Sequence, residues 1–300
     1  MESILDARSL FTDTRSLTGR NSRGNFELRR NIVRCSRGHP AGGVTPSGCH
    51  GHEISNRIEH YVITRFNIKL SFLSAPEAAP KLMRNCPEWL EHRFALFEKY
   101  CVPSILNQSC RRFHWVLLID PGTPSPYRKR MEQILKPLRN RVSVLSPKSC
   151  FVKAFLSFAQ GRSSHAAHLI TTRLDNDDAI HEHHIQRVQD SFDAQDYTFV
   201  AFAKGYRFSP STFELRVFPY CKNPFASLIE RFSPDSTSIY CGNHAHLHKK
   251  GPFIMINDLF GWVQVIHDKN IANRQVGDES NNLAGADVAR TLAQFHISLT

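Results

Sequence analysis

No stretch of this chain approaches the ~20 consecutive apolar residues needed to cross a bilayer, so membrane-spanning function classes are not indicated. The opening Met1-Glu2-Ser3-Ile4-Leu5-Asp6 lacks the basic start and apolar core of a secretory signal. The expectation is a soluble cytoplasmic protein, at most peripheral at the inner membrane face. No Cys-x-x-Cys pair occurs among Cys35, Cys49, Cys86, Cys101, Cys110, Cys150, Cys221 and Cys241. That absence argues against a zinc ribbon and a dithiol redox site, and the thiols are expected to be reduced and to pack as small hydrophobes. There is no internal repeat, no long basic tail and no recognisable nucleic-acid module, so no specific nucleic-acid partner is expected.

What is present is enough apolar material for a sizeable core: 41% of 300 residues are hydrophobic and 22% charged. This suits one large domain, or one domain with an appendage. The formal charge of +11 favours anionic partners, but it is dispersed in short groups such as Arg111-Arg112 and Lys249-Lys250. Residues 1–57 are rich in Arg, Ser, Gly and Asn and lack apolar periodicity. They read as a flexible or disordered extension, leaving 58–300 as the folded domain.

Within that domain, apolar runs at 61–66, 114–120, 141–145 and 169–174 read as strands. Amphipathic segments at 88–99, 127–138, 153–159 and 179–194 read as helices, with Cys101-Val102-Pro103 interrupting the first before a restart at Ser104-Ile105-Leu106. Strand and helix alternating every 30 residues or so signal βαβ units and a mostly parallel, Rossmann-type sheet flanked by helices. Strands buried on both faces read as continuous apolar runs, as these do. After residue 195 the pattern becomes mixed α+β. A strand is expected at 197–203, a hairpin from 206–208 to 213–218, a helical piece at 225–231, and strands at 253–256 and 262–266.

The most informative run is His168-Leu169-Ile170-Thr171-Thr172-Arg173-Leu174-Asp175-Asn176-Asp177-Asp178. A strand here ends in three carboxylates within four positions, and in α/β folds the carboxyl ends of strands bind ligands. Three such charges repel unless a cation joins them, and hard oxygen donors suit Mg²⁺ or Mn²⁺. The alternative is a solvated acidic turn that caps the next helix. The residues alone leave both open.

Together with Thr64-Arg65-Phe66-Asn67, Pro103-Ser104-Ile105-Leu106-Asn107-Gln108 and the strand ending at Asp120, this run resembles the putative rhamnosyltransferase family, over roughly residues 60 to 275. That family is similar to the nucleotide-sugar glycosyltransferases of the GT-A fold. The resemblance implies a GT-A-like α/β fold with a nucleotide-binding half at 58–195 and an acceptor-binding half at 196–300. It implies a nucleotide-sugar donor such as dTDP-rhamnose and a glycan or glycolipid acceptor. By the same resemblance Asp175 and Asp177 match the Asp-x-Asp that holds Mn²⁺ or Mg²⁺ on the donor diphosphate, and His267 matches a late histidine ligand. Thr64, Arg65 and Asp120 would face the nucleotide, Arg173 a phosphate, and Asp178 the donor-sugar hydroxyls or the helix amides. Asp258 is the first choice for a base that deprotonates the acceptor hydroxyl, ahead of Asp235 and Glu230.

Two other constellations carry less. His244, His246 and His248 would share one side of a strand, but no second cysteine stands at zinc spacing, so a polar surface strand or cleft lining is expected. His181, His183 and His184 read as a solvated helix face. Two other function classes fit the acidic run with a basic surface: a two-metal phosphodiesterase or nuclease using Asp175, Asp177 and Asp178, and a non-catalytic carbohydrate-binding protein.

Overall fold

The computed structural model describes residues 32–35, 58–68, 83–162, 165–268, 282–283 and 285–299, all within one compact unit, Ile32–Thr300. The strands are β1 (Ile32–Cys35), β2 (Ile58–Arg65), β3 (His114–Leu118), β4 (Val142–Leu145), β5 (His168–Arg173), β6 (Ala179–Ile180), β7 (Tyr197–Ser209), β8 (Glu214–Pro219), β9 (Ser227–Arg231), β10 (Phe253–Val265) and β11 (Asn282–Leu283). The α-helices are α1 (Pro87–Leu96), α2 (Val102–Leu106), α3 (Ser125–Leu135), α4 (Phe151–Arg162), α5 (His184–Asp190) and α6 (Ala286–Ala293).

The main sheet runs β1-β10-β7-β9-β5-β2-β3-β4. Pairings β2–β3, β2–β5, β3–β4 and β7–β10 are parallel, while β9 runs antiparallel between β5 and β7. The α/β class and the expected βαβ units are therefore present, with an antiparallel strand set into the second half. Alternate residues of a strand face opposite sides of a sheet. Val62 packs with α1, α2 and α3 residues such as Phe94, Ile105 and Met131, whereas Tyr61 and Ile63 pack with Phe155 and Ala159 of α4. Both faces are covered, which is why β2, β3 and β5 read as unbroken apolar runs.

Several local expectations are corrected. The first helix is not broken at Pro103; a π turn at Phe97–Cys101 joins α1 to α2, with the Val102 N–H reaching the Phe97 carbonyl. The widened turn absorbs a proline that lacks an N–H. The helix expected at 225–231 is β9, because a short apolar run has no periodicity to tell helix from strand, and the gap between β5 and β7 captures it. The helix expected at 179–194 shortens to α5, since Ala179 and Ile180 pair with Val263 and Trp262 of β10 instead. The strands foreseen at 253–256 and 262–266 are one strand whose register against β7 shifts around Phe260. The foreseen hairpin is present, from the end of β7 into β8. Within residues 1–57, β1 pairs antiparallel with β10; the rest of that segment lies outside the described residues.

Candidate functional site

Strand order reverses at β2, which has β3 on one side and β5 on the other. In open α/β sheets, ligands bind outside the carboxyl ends of strands at such a switch point. Three chain segments leave the sheet there. Backbone bonds hold them together: Phe66 N–H to the Leu118 carbonyl at 2.9 Å and Leu174 N–H to the Ile63 carbonyl at 3.2 Å. Asn176 donates to the Phe66 carbonyl at 2.9 Å, and the Asp120 N–H to Asn67 Oδ1 at 2.9 Å. The acidic turn after β5 is thereby pinned beside the ends of β2 and β3.

The three aspartates then meet different partners. Asp175 accepts from Arg173 Nη2 at 2.6 Å and from Arg65 Nη2 at 3.4 Å. Burial works against its ionisation, but the Arg173 and Arg65 charges outweigh it and hold the carboxyl well below the usual range. Both guanidinium groups lie over the Tyr240 ring, at 4.9 Å for Arg65 and 5.8 Å for Arg173. Arg173 also approaches His244 Nδ1 at 3.3 Å. Burial depresses His244 to about 4, helped by the Arg173 charge, so at neutral pH it adds no positive charge.

Asp177 accepts from Arg93 at 2.6 Å and stands 3.0 Å from His267 Nε2 through the same oxygen, Oδ2. Burial again opposes ionisation, yet the His267 hydrogen bond and the Arg93 charge leave its carboxyl lowered. Asp178 is buried, and its Oδ1 accepts the Val265 N–H at 2.9 Å. Burial, then the charges of Asp177 and Asp175, push its carboxyl well above the usual range. Asp178 therefore ties the acidic turn to β10 rather than meeting sugar hydroxyls or helix amides.

Other expected residues are dispersed. Thr64 is fully buried, with its hydroxyl accepting the Trp115 indole N–H at 2.9 Å. It anchors β2 to β3 and presents no side chain to a nucleotide. Asp120 lies just beyond β3, accepting from Asn85 at 3.1 Å, the Gly122 N–H at 2.7 Å and Arg84 at 3.4 Å. Asp258 is exposed and pairs bidentately with Arg187 of α5 at 2.8 and 2.9 Å. It stands seven residues before Val265 on β10, across the register shifts of that strand. Glu230 is buried and binds the Thr237 and Ser238 amides, both at 2.8 Å, so it clamps a loop. Asp235 is exposed, with its N–H on the Ser233 hydroxyl.

The histidine readings change as well. Residues His244–Lys249 form a 3-10 helix, not a strand, so His244, His246 and His248 do not share a face by alternation. His184 is fully buried with its ring on the Gly261 carbonyl at 2.8 Å, and His181 is buried too, so only His183 of that trio is substantially exposed.

A cation chelated jointly by Asp175, Asp177 and His267 does not fit this arrangement. Their ligand atoms do not gather within coordination reach, and guanidinium groups already engage both aspartates. Among the described residues the group that does gather is His92, His267 and Asp268, with ligand atoms all within 4.8 Å of one another. Around the acidic turn the positive charge comes from Arg65, Arg93 and Arg173. Among the described residues, buried N–H groups of Arg65 (Nε and Nη1), Arg84 (Nε) and Arg93 (Nε) find no hydrogen-bond acceptor. Such groups are costly unless a ligand or water completes them.

Arg93 and His92, adjacent on α1, were not foreseen. In sequence they look like surface residues of an amphipathic helix, and only the packing of α1 over the acidic turn brings them in. Asn67 sat in the quoted Thr64-Arg65-Phe66-Asn67 segment without a role. It now bonds Asn85 and Thr123, both at 2.9 Å, and orders the Asp120 loop.

A sequence-family model described as putative rhamnosyl transferase matches residues 62–279. Among solved structures, S. aureus TarS 1-349 is 11% identical with a TM-score of 0.37, over 69% of this chain and 60% of that one. A putative nucleotide-diphospho-sugar transferase from Desulfovibrio desulfuricans G20 is 7% identical with a TM-score of 0.36, over 69% and 83%. The 4-diphosphocytidyl-2C-methyl-D-erythritol synthase from Anaerococcus prevotii DSM 20548 is 10% identical with a TM-score of 0.37, over 82% and 100%. The chain thus spans less than two thirds of the TarS 1-349 length, and 37% of the longer TarS chain. No curated protein matches the sequence.

Proposed function

Because the chain belongs to the putative rhamnosyl transferase family, with the GT-A-like α/β fold and glycosyltransferase class that go with it, we propose that it moves a sugar from a nucleotide-diphosphate donor to a hydroxyl of a glycan or glycolipid. The family name points to rhamnose, carried as dTDP-rhamnose. One observation carries the reading: Arg65 and Arg173 converge on Asp175 at the switch point, and among the described residues the Arg65 Nε and Nη1 find no acceptor.

A diphosphate is the ligand that chemistry suits. Guanidinium groups bind phosphate oxygens through paired, charge-assisted hydrogen bonds. In transfer, the acceptor oxygen bonds to the anomeric carbon and gives up its proton to solvent, while the bond from that carbon to the diphosphate breaks, its electron pair leaving with the diphosphate. Fixed positive groups stabilise the charge that grows there. Asp175 positions both guanidinium groups, and Tyr240 supports them from below. The Asn67–Asp120 edge, at the ends of β2 and β3, would face the nucleoside. No step is assigned to an ion held by the Asp-x-Asp, and none to Asp258, which pairs with Arg187. The formal charge of +11 would favour approach to anionic glycolipid surfaces; among the described residues no helix is long and apolar enough to cross a membrane.

Two-metal phosphodiester chemistry is disfavoured by the same contacts. It would need Asp175, Asp177 and Asp178 to share ions, yet Arg173, Arg93 and the Val265 amide engage them.

Calorimetric titration with dTDP and UDP tests the proposal. The wild type is expected to bind, and Arg65→Gln to bind about tenfold or more weakly, the loss of one charge-assisted hydrogen bond being about 1.5–3 kcal/mol. Equal binding by wild type, Arg65→Gln and Arg173→Gln would remove the diphosphate from this place.

A further inference from the structure

We propose that His92, His267 and Asp268 form a divalent transition-metal site at the rim of the acidic turn, with Asp177 as the carboxylate that orients His267. The site is distinct from chelation by Asp175 and Asp177, which the arginines occupy.

Three features of the geometry support it. First, His92 Nε2 and His267 Nδ1 lie 3.4 Å apart. Two imidazole nitrogens on one tetrahedral ion, each ~2.0–2.1 Å from it, stand about 3.3 Å apart. The rings meet edge to face, with centroids at 5.0 Å, so the nitrogens approach without stacking.

Second, Asp268 brings a carboxylate oxygen within 4.8 Å of a ring nitrogen of each histidine. It is exposed while the two histidines are partly buried. A site of two histidines and one carboxylate, open toward solvent, leaves coordination positions for water or a ligand oxygen. Imidazole donors favour Zn²⁺, Co²⁺ or Mn²⁺ over Mg²⁺.

Third, the other nitrogen of His267 is 3.0 Å from Asp177 Oδ2. A proton on Nε2, donated to that carboxylate, fixes the tautomer with its lone pair on Nδ1, the atom that faces His92. Metal-binding histidines commonly donate their second N–H to a carboxylate in this way. Arg93 in turn holds the same Asp177 oxygen at 2.6 Å. The second aspartate of the motif is therefore one imidazole removed from the ion.

The test uses the full chain, stripped of metal and free of nucleotide, so its failure is separate from failure of the donor reading. Co²⁺ is titrated by its visible absorption and Zn²⁺ by calorimetry. One ion per chain is expected. His92→Gln and Asp268→Asn, both at the rim, should each weaken binding about tenfold or more, and Asp177→Asn by about ten- to a hundredfold through His267. Asp175→Asn should stay within about threefold of wild type, since Asp175 lies outside the donor set. Circular dichroism confirms that each variant is folded, and the two rim variants serve as independent checks. No binding by the wild type would overturn the site. So would strong loss in Asp175→Asn with none in His92→Gln and Asp268→Asn.

Discussion

Arg93 donates to Asp177 across 2.6 Å, and each side chain is only 10% exposed. The pair joins α1 to the turn after β5, across 84 residues of sequence. Removing one partner of such a buried pair leaves an uncompensated charge, which costs about 3–5 kcal/mol, whereas removing both costs far less. Asp177→Ala is therefore not a silent probe of chemistry, because it strands Arg93. Arg93→Met should destabilise the chain by about 3 kcal/mol or more, and the double variant Arg93→Met/Asp177→Asn should recover part of that loss. Urea unfolding of the two singles and the double measures it; strictly additive losses would mean the two side chains do not act as a pair.

Asp258 makes the opposite case. Its bond to Arg187 is bidentate, but the side chains are 45% and 35% exposed, and exposed pairs contribute only about 0–1 kcal/mol. Asp258→Asn should shift stability by less than about 1 kcal/mol and leave sugar transfer essentially unchanged. A loss of turnover in this variant, with donor binding intact, would restore Asp258 as the base.

The fold was legible where the physics is local. β2, β3 and β5 are buried on both faces, so their apolar runs announce a parallel sheet, and the carboxylates after Leu174 mark the edge where the candidate site lies. β9 was misread because Phe225 to Ile229 contains too few residues to show a period; only its neighbours β5 and β7 decide its form. At the site, Arg65, Arg173 and Asp175 were legible because they sit at strand ends. Arg93 and His92 were not, since their role depends on where a helix 80-odd residues upstream comes to rest. Thr64 shows the converse. It occupies the carboxyl end of β2, but side-chain alternation turns it inward to Trp115.

Close approach of β7 and β10 depends on two glycines. A Cβ on Gly205 would lie 2.1 Å from the Trp262 ring, and one on Gly261 2.1 Å from Phe202. Both rings are fully buried, so neither can swing away into solvent. Gly205→Ala and Gly261→Ala should each destabilise by about 1–3 kcal/mol or more, the cost of overpacking a filled core. The Gly261 change should also disturb His184, which binds the Gly261 carbonyl at 2.8 Å. A chemical-denaturation midpoint equal to wild type in either variant would show that the strands have slack at this crossing.

Acid sensitivity should come from histidines buried in neutral form. His60 is 2% exposed, with Nε2 at 2.8 Å from the Thr172 hydroxyl and Nδ1 at 3.2 Å from the Gln189 amide nitrogen. The amide donates to Nδ1, so the ring proton resides on Nε2 and a second proton has no acceptor. Burial, then the neighbouring His184, depress His60 to about 3, and burial depresses His184 to about 4. In the unfolded chain both titrate near 6.5. Below that pH the unfolded state binds protons that the native state refuses, so stability falls with falling pH. The loss begins near pH 6.5 and continues to about 4 for His184 and about 3 for His60, approaching about 1.4 kcal/mol per pH unit for each ring. Above about pH 7 both contributions are fully present. Urea unfolding at about pH 7 and about pH 5 should show the drop, and His60→Gln should flatten it while lowering stability at neutral pH. A variant that keeps the full wild-type slope would assign the acid sensitivity to other groups.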